Sequence, residues 1–369
     1  MPDSARKDAD MLAYFCQSCH EDRVLQVGLM PRVGVNNLPF NNDFVQVIGQ
    51  GMPSYDPGFN LSWQEVTDRR AQQVQDLIQT QHKQVYMQWS GGIDSTCILV
   101  AMLKNFDRNT LSRVTVCYTY DSILEYSKFY LDHILPNFKT QDLNFVPLDL
   151  AGQPNALLID GQTADTLTMS MAPSLDINMA VRNSDLLVKD WRTDPDTLIL
   201  YLSRVTGSAE FAQWYYDRVG ENVKSVDVPI ETYFDFMWWA GFNYDWAYQT
   251  FCQWFYLQRS SQLGFKEFSN KYLPWFCNDE YQLWSLAHVG AWVKHGRGVA
   301  SFKQDAKHYC YEYTHDEWNW RYKTKVSSRG RPYLLDTTLP FAVTDDFRVL
   351  GLETDLNEIL TLWPSHFKD

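Results

Sequence analysis

Seven consecutive residues carry the clearest chemistry in the chain: Ser90, Gly91, Gly92, Ile93, Asp94, Ser95 and Thr96. They follow the apolar run Val85–Trp89 and open a helix predicted from about Ser95 to Asn105, with Ile98, Leu99, Met102 and Leu103 apolar. Two adjacent glycines let a backbone turn sharply and approach a ligand with no Cβ in the way. A helix start presents N–H groups and the positive end of a dipole, which together seat an anion. Ser90, Ser95 and Thr96 add hydroxyls, so the pattern fits phosphate. No lysine stands where a γ-phosphate-transferring loop would carry one. Asp94 stands inside the loop instead. A carboxylate there makes sense through a divalent cation, and Mg²⁺ prefers such hard oxygen ligands.

Two later segments add candidates. Ala156–Asp160 is an apolar run ending at Gly161, with Asp165 four residues on. Lys303 and Lys307 are also four apart, so on a helix they share one face, as two cations facing a triphosphate would.

The run Ser90–Thr96 resembles the S-G-G-x-D-S/T signature of the PP-loop ATP pyrophosphatases, which include the synthetase domain of asparagine synthetase. The segment Gly161–Asp165 is similar to a G-E-G-S-D-E-like element of that branch, with Gln162 in place of glutamate and Thr166 in place of the second acid. Lys271–Glu280 resembles the branch's proline-aromatic-acidic segment, and Ser301–Lys307 its lysine-bearing helix. The resemblance spans about residues 62–310. It implies an adenine nucleotide alpha hydrolase-like, doubly wound parallel sheet. It implies an ATP- and Mg²⁺-dependent ligase that adenylates a carboxylate or amide oxygen, releases pyrophosphate, and joins the activated group to ammonia or an amine. On that pattern Lys303, Asp94 and Asp165 form the catalytic set, with Asp94 and Asp165 holding Mg²⁺. Ser90, Gly91, Gly92, Asp94, Ser95, Thr96, Gly161 and Lys307 bind the nucleotide. The glutaminase of that branch uses a cysteine at position 2, where this chain has Pro2. Its nitrogen source is therefore expected to be free ammonia, a substrate amine, or a separate ammonia-donating protein. Two other readings stand beside this one: ATP-dependent modification of a nucleobase in tRNA or DNA, and a nucleotide sensor without turnover.

Composition sets the limits. The chain has 369 residues, 45% hydrophobic and 15% aromatic, enough for a substantial core. Its net charge of -13 makes general attraction to nucleic acid unfavourable. Nucleic-acid contact would need a local patch, such as the basic stretch 321–331, whose other reading is a solvated connector or a clamp over an anion. The 7 cysteines are odd in number and scattered, which argues for a reducing compartment. With no apolar leader at the N-terminus, the cytoplasm is the expected location. No stretch is apolar enough to span a membrane, because the aromatic belt from Tyr233 to Tyr256 is interrupted by polar residues such as Asp235 and Asn243. That belt reads as core or as a base-stacking surface. Cys16 and Cys19 with His20 make one CxxC, two ligands short of a structural zinc site.

The elements that must position the loop follow from periodicity. Residues 1–60 read as a small irregular or β segment. A helix is predicted to start at Ser62, where Glu65 gives capping-box spacing. Residues 61–184 alternate strand and helix, with strands at Val85–Trp89, Arg113–Tyr120, Asn144–Leu148 and Ala156–Asp160. That alternation predicts an α/β fold with a parallel sheet. Residues 185–369 read as a helical, aromatic-rich substrate subdomain with a C-terminal tail.

Overall fold

The computed structural model describes residues 51–168, 188–206, 208–246, 249, 253, 257, 263–288 and 303–322. Residues 1–50 of the expected irregular or β segment, with Cys16, Cys19 and His20, and most of the basic stretch lie outside the described residues.

The described elements run in chain order as α1 (Trp63–Thr80), β1 (Gln84–Gln88), α2 (Ile93–Asn105), β2 (Val114–Tyr118), α3 (Tyr120–Glu125), β3 (Lys139–Asp142), α4 (Val146–Gly152), β4 (Ala156–Asp160) and α5 (Ala164–Leu167). They continue as α6 (Pro195–Thr206), α7 (Ala209–Val223), α8 (Tyr233–Ala240), α9 (Phe265–Ser269), β5 (Tyr272–Pro274), α10 (Asp279–His288), α11 (Gln304–Thr314) and α12 (Glu317–Tyr322). Among them no helix is long and apolar enough to cross a membrane.

The chain divides into two compact units. One takes its described residues from Trp63–Gly161, Leu257–Trp275 and Asp305–Asp369 and contains the sheet. The other takes them from Met1–Ser62, Gln162–Tyr256 and Phe276–Gln304 and is helical.

In the sheet unit, five parallel strands lie in the order β3-β2-β1-β4-β5, flanked by helices, an α/β arrangement consistent with double winding. β2 and β4 are buried at every position, as strands covered on both faces must be. The register sets Met87 beside Val116 and Ile159, so β1 and β4 end together. The strand order reverses between them. In open parallel sheets that point leaves a crevice beyond the carboxyl ends of the strands.

The third strand corrects the sequence expectation. Asn144–Leu148 is helical, and the strand is the polar segment Lys139–Asp142 before it. Asp142 ends the strand, because its carboxylate accepts the Asn144 N–H at 2.6 Å. Pro147 then sits in the first turn of α4, where its missing N–H costs nothing. β3 is an edge strand, and edges tolerate the polar residues that hide them from an alternation search. β5 is the other edge. It is three residues long and ends in Pro274, which has no N–H for a further strand.

The helical unit is built on aromatic packing. Tyr233, Phe234, Phe236, Trp238, Trp239, Phe242 and Trp246 are all 2% exposed or less. These seven rings are therefore interior and offer no stacking surface. Asp235 stands in the first turn of α8, where one carboxylate oxygen accepts from Thr232 N at 2.8 Å, Thr232 Oγ1 at 2.9 Å and Glu231 N at 3.2 Å. Deeper in the unit, Asn222 Oδ1 accepts from both Trp239 Nε1 and Asn243 Nδ2 at 2.7 Å, so these buried groups are paired.

Candidate functional site: the glycine loop at the end of β1

The residues Ser90–Thr96 form the turn from β1 into α2. Trp89 closes the strand by donating its N–H to Cys117 O at 2.8 Å, and the chain then bends away from the sheet. Gly91 makes the bend, with φ of 72° in the left-handed region that favours glycine. It also lies against α3: a Cβ on Gly91 would stand 2.4 Å from both Glu125 Cβ and Ser122 O. Gly92 is the N-cap of α2 and provides no side-chain cap. The N–H groups of Ile93, Asp94 and Ser95 have no carbonyl four residues back within the helix. A long helix that begins on glycine, with its first amides at the end of a parallel strand, has the geometry of an anion seat.

The hydroxyls brace this loop. Ser95 Oγ accepts from Ser90 N at 3.1 Å and donates to Gly92 O at 3.2 Å. Its single proton is thereby used, so the 3.1 Å contact with Ser90 Oγ is donated by Ser90. Ser90 Oγ in turn accepts from Gly92 N at 3.3 Å. Ser90 is exposed and Ser95 is buried, so Ser90 is the hydroxyl within reach of a ligand. Thr96, expected as a phosphate donor, is fully buried, and its oxygen accepts from Trp89 Nε1 at 3.1 Å. It holds strand and helix together.

Gly161 completes the seat from β4. A Cβ here would come within 3.2 Å of Ser95 N and 3.3 Å of Asp94 Cβ, so the backbone after β4 rests directly on the first turn of α2. Asp94 is half-buried in that turn. One partly exposed carboxylate beside helix-start amides is a donor set that Mg²⁺ accepts when a phosphate ligand is present, since that ion usually takes one or two protein carboxylates together with substrate phosphates and water. Among the described residues no group of three or more His, Cys, Asp or Glu side chains forms a metal cluster. Cys97, Cys117, Cys277 and Cys310 are buried.

The other expected residues fall as follows. Asp165 lies in α5 of the helical unit, where it forms an ion pair with Lys303; each side chain is 22% exposed. The same loop carries Gln162, whose Nε2 donates to Gln253 Oε1 at 2.9 Å. Lys303 precedes α11 by one residue, whereas Lys307 is inside that helix, in the stretch assigned to the sheet unit. Asp94, Gly161 and Lys307 thus belong to the sheet unit, and Asp165 and Lys303 to the helical unit.

Several residues against the loop escaped the sequence reading. Glu125 is 3% exposed and packs on Gly91. Thr119 and Ser122 form a reciprocal capping box that fixes α3 in that position. The spacing Thr-x-x-Ser was the available signal, and it marks a helix start without saying what the helix touches. Trp89 packs on Tyr130, with ring centroids 6.0 Å apart, which stiffens the strand end. Comparison with family models, with characterised proteins and with solved structures finds no match.

Proposed function

We propose that this chain is an ATP-dependent adenylating ligase of the PP-loop type, similar to the synthetase domain of asparagine synthetase. The observation that carries the proposal is the loop between β1 and α2. It combines a left-handed Gly91, a helix capped only by Gly92, and Gly161 pressed on the first turn, all where the strand order reverses. Such a seat takes the β- and γ-phosphates through backbone amides, with Ser90 as the exposed hydroxyl. Without a lysine in the loop, the bond broken is expected to be the one between the α- and β-phosphates, with pyrophosphate as the held leaving group.

In the proposed reaction a carboxylate or amide oxygen of the acceptor attacks the α-phosphorus in line. The P–O bond to pyrophosphate breaks, an acyl- or imidyl-adenylate forms, and ammonia or an amine then displaces AMP. Mg²⁺, held by Asp94 with Asp165 as the second carboxylate taken from the resemblance, would neutralise phosphate charge. Lys303 is assigned the developing negative charge, and Lys307 a binding contact. Rate enhancement then rests on positioning and electrostatics.

The test is to incubate the full chain with ATP, Mg²⁺, ammonia and a panel of carboxylate and amide acceptors, and to separate the nucleotides by chromatography. AMP and pyrophosphate are expected, and Asp94→Asn should abolish their formation while leaving the fold intact. ADP and phosphate as products would overturn the assignment.

A further inference from the structure

Gly161 ties the end of β4 to the first turn of α2, so whatever fixes that strand end also shapes the anion seat. The residue before it, Asp160, is 2% exposed. A carboxylate at that depth is costly unless it is hydrogen-bonded. Tyr272 on β5 meets this need. Its hydroxyl donates across both carboxylate oxygens, at 3.0 and 2.9 Å, and its ring stacks on Phe268 with centroids 4.7 Å apart.

The main chain reinforces the contact. Trp275 N donates to Asp160 O at 3.0 Å. Arg70, on α1, donates from Nε to Trp275 O at 2.9 Å and from a terminal nitrogen to Pro274 O at 3.3 Å. Strand pairing alone does not call for an acid and a phenol at this point. Leu158 and Ile159, the preceding residues of β4, are fully buried without polar groups. A buried polar pair, unlike an apolar one, permits a single geometry.

We propose that Asp160 and Tyr272 are positioning residues that hold Gly161 against Asp94 and Ser95 and so set the shape of the phosphate seat. Neither touches the nucleotide; both act through Gly161. This assignment rests on the reading of the loop as a nucleotide site.

The experiment uses the full chain and two variants. Tyr272→Phe removes only the hydroxyl and keeps the ring on Phe268. Asp160→Asn keeps a carbonyl oxygen for Tyr272 to donate to. Affinities for Mg·ATP and for inorganic pyrophosphate are measured by calorimetry, and amide exchange of Ile93–Thr96 is compared with that of β2. Tyr272→Phe is expected to weaken both ligands by about 10-fold, the scale of one hydrogen bond to a carboxylate. It should speed exchange in the first turn of α2 while β2 stays protected. Asp160→Asn, which keeps an acceptor for the phenol, should stay close to wild type in both affinity and exchange. Wild-type affinity and exchange in Tyr272→Phe would overturn the assignment, as would exchange that rises equally across the sheet. A wild-type chain that binds neither ligand removes the nucleotide reading instead, and the exchange comparison still decides whether the pair sets the turn.

Discussion

The indole Nε1 of Trp89 donates to Thr96 Oγ1 at 3.1 Å, across the whole width of the glycine loop. The contact joins the residue before the loop to its last residue, and both are buried. It fixes the span that the backbone between them must bridge.

Thr96→Val is therefore expected to reduce stability rather than ligand affinity. The isosteric change leaves the indole N–H buried without its acceptor, at a cost of about 1–3 kcal/mol. Urea unfolding should report the loss, while pyrophosphate affinity measured well below the transition stays near wild type. A variant as stable as wild type but unable to bind would move Thr96 into the ligand's contact shell.

Gly91→Ala tests the bend. The added methyl would have to share space with Glu125 Cβ and Ser122 O, at a φ that alanine rarely adopts. Overpacking of this kind costs about 1–3 kcal/mol, and here the loop must shift to relieve it. Lower stability together with lost nucleotide binding is expected. Calorimetry that returns wild-type affinity would show that the seat does not depend on the left-handed turn.

Lys303 separates chemistry from packing. Its pair with Asp165 is partly exposed, so breaking it should cost no more than about 1 kcal/mol of stability. If Lys303 offsets charge that grows during adenylation, Lys303→Ala should lower kcat by roughly 100- to 1,000-fold while changing ATP affinity much less. Lys307→Ala should do less. Equal and small effects of both substitutions would leave the adenylation step in need of another cation.

Stability should also fall with mild acid, through His133. Its ring lies against Phe129 at 5.0 Å and Tyr313 at 5.5 Å, and burial holds its pKa below the ordinary 6.5. Asp132 and Asp316 oppose that shift, and Lys128 adds to it. Below pH 6.5 the unfolded chain takes up the proton first. The contribution is complete above that value and is lost as pH drops through the folded pKa. Melting temperatures of wild type and His133→Phe should run parallel above pH 6.5, and wild type should fall relative to the variant below it. Curves that stay parallel below pH 6.5 as well would show that His133 titrates alike in both states.

The sheet's centre was legible because β1 and β4 are apolar runs that end in glycine, and the chemistry of Ser90–Thr96 is local in sequence. Its edges were not. β3 reads Lys-Thr-Gln-Asp, with no apolar alternation, and Tyr272–Pro274 is too short to interrupt a helix-like region. Contacts across large separations were invisible for the same reason. Asp160 and Tyr272 lie 112 residues apart, and nothing near either one names the other. Asp165 and Lys303 are 138 apart and were linked only through the resemblance to the asparagine synthetase branch.

The late arrival of β5 bears on how the protein is made. During synthesis β1 to β4 leave the ribosome well before Tyr272–Pro274, so β4 waits with one edge bare and Asp160 without its phenol. Non-local pairing of this kind is slow, and a bare apolar edge invites other chains. The sheet unit should thus become resistant to protease only after residue 275 has emerged. Chains arrested before that point should engage holdase chaperones through β4, and the glycine loop would be among the last parts of this unit to take shape.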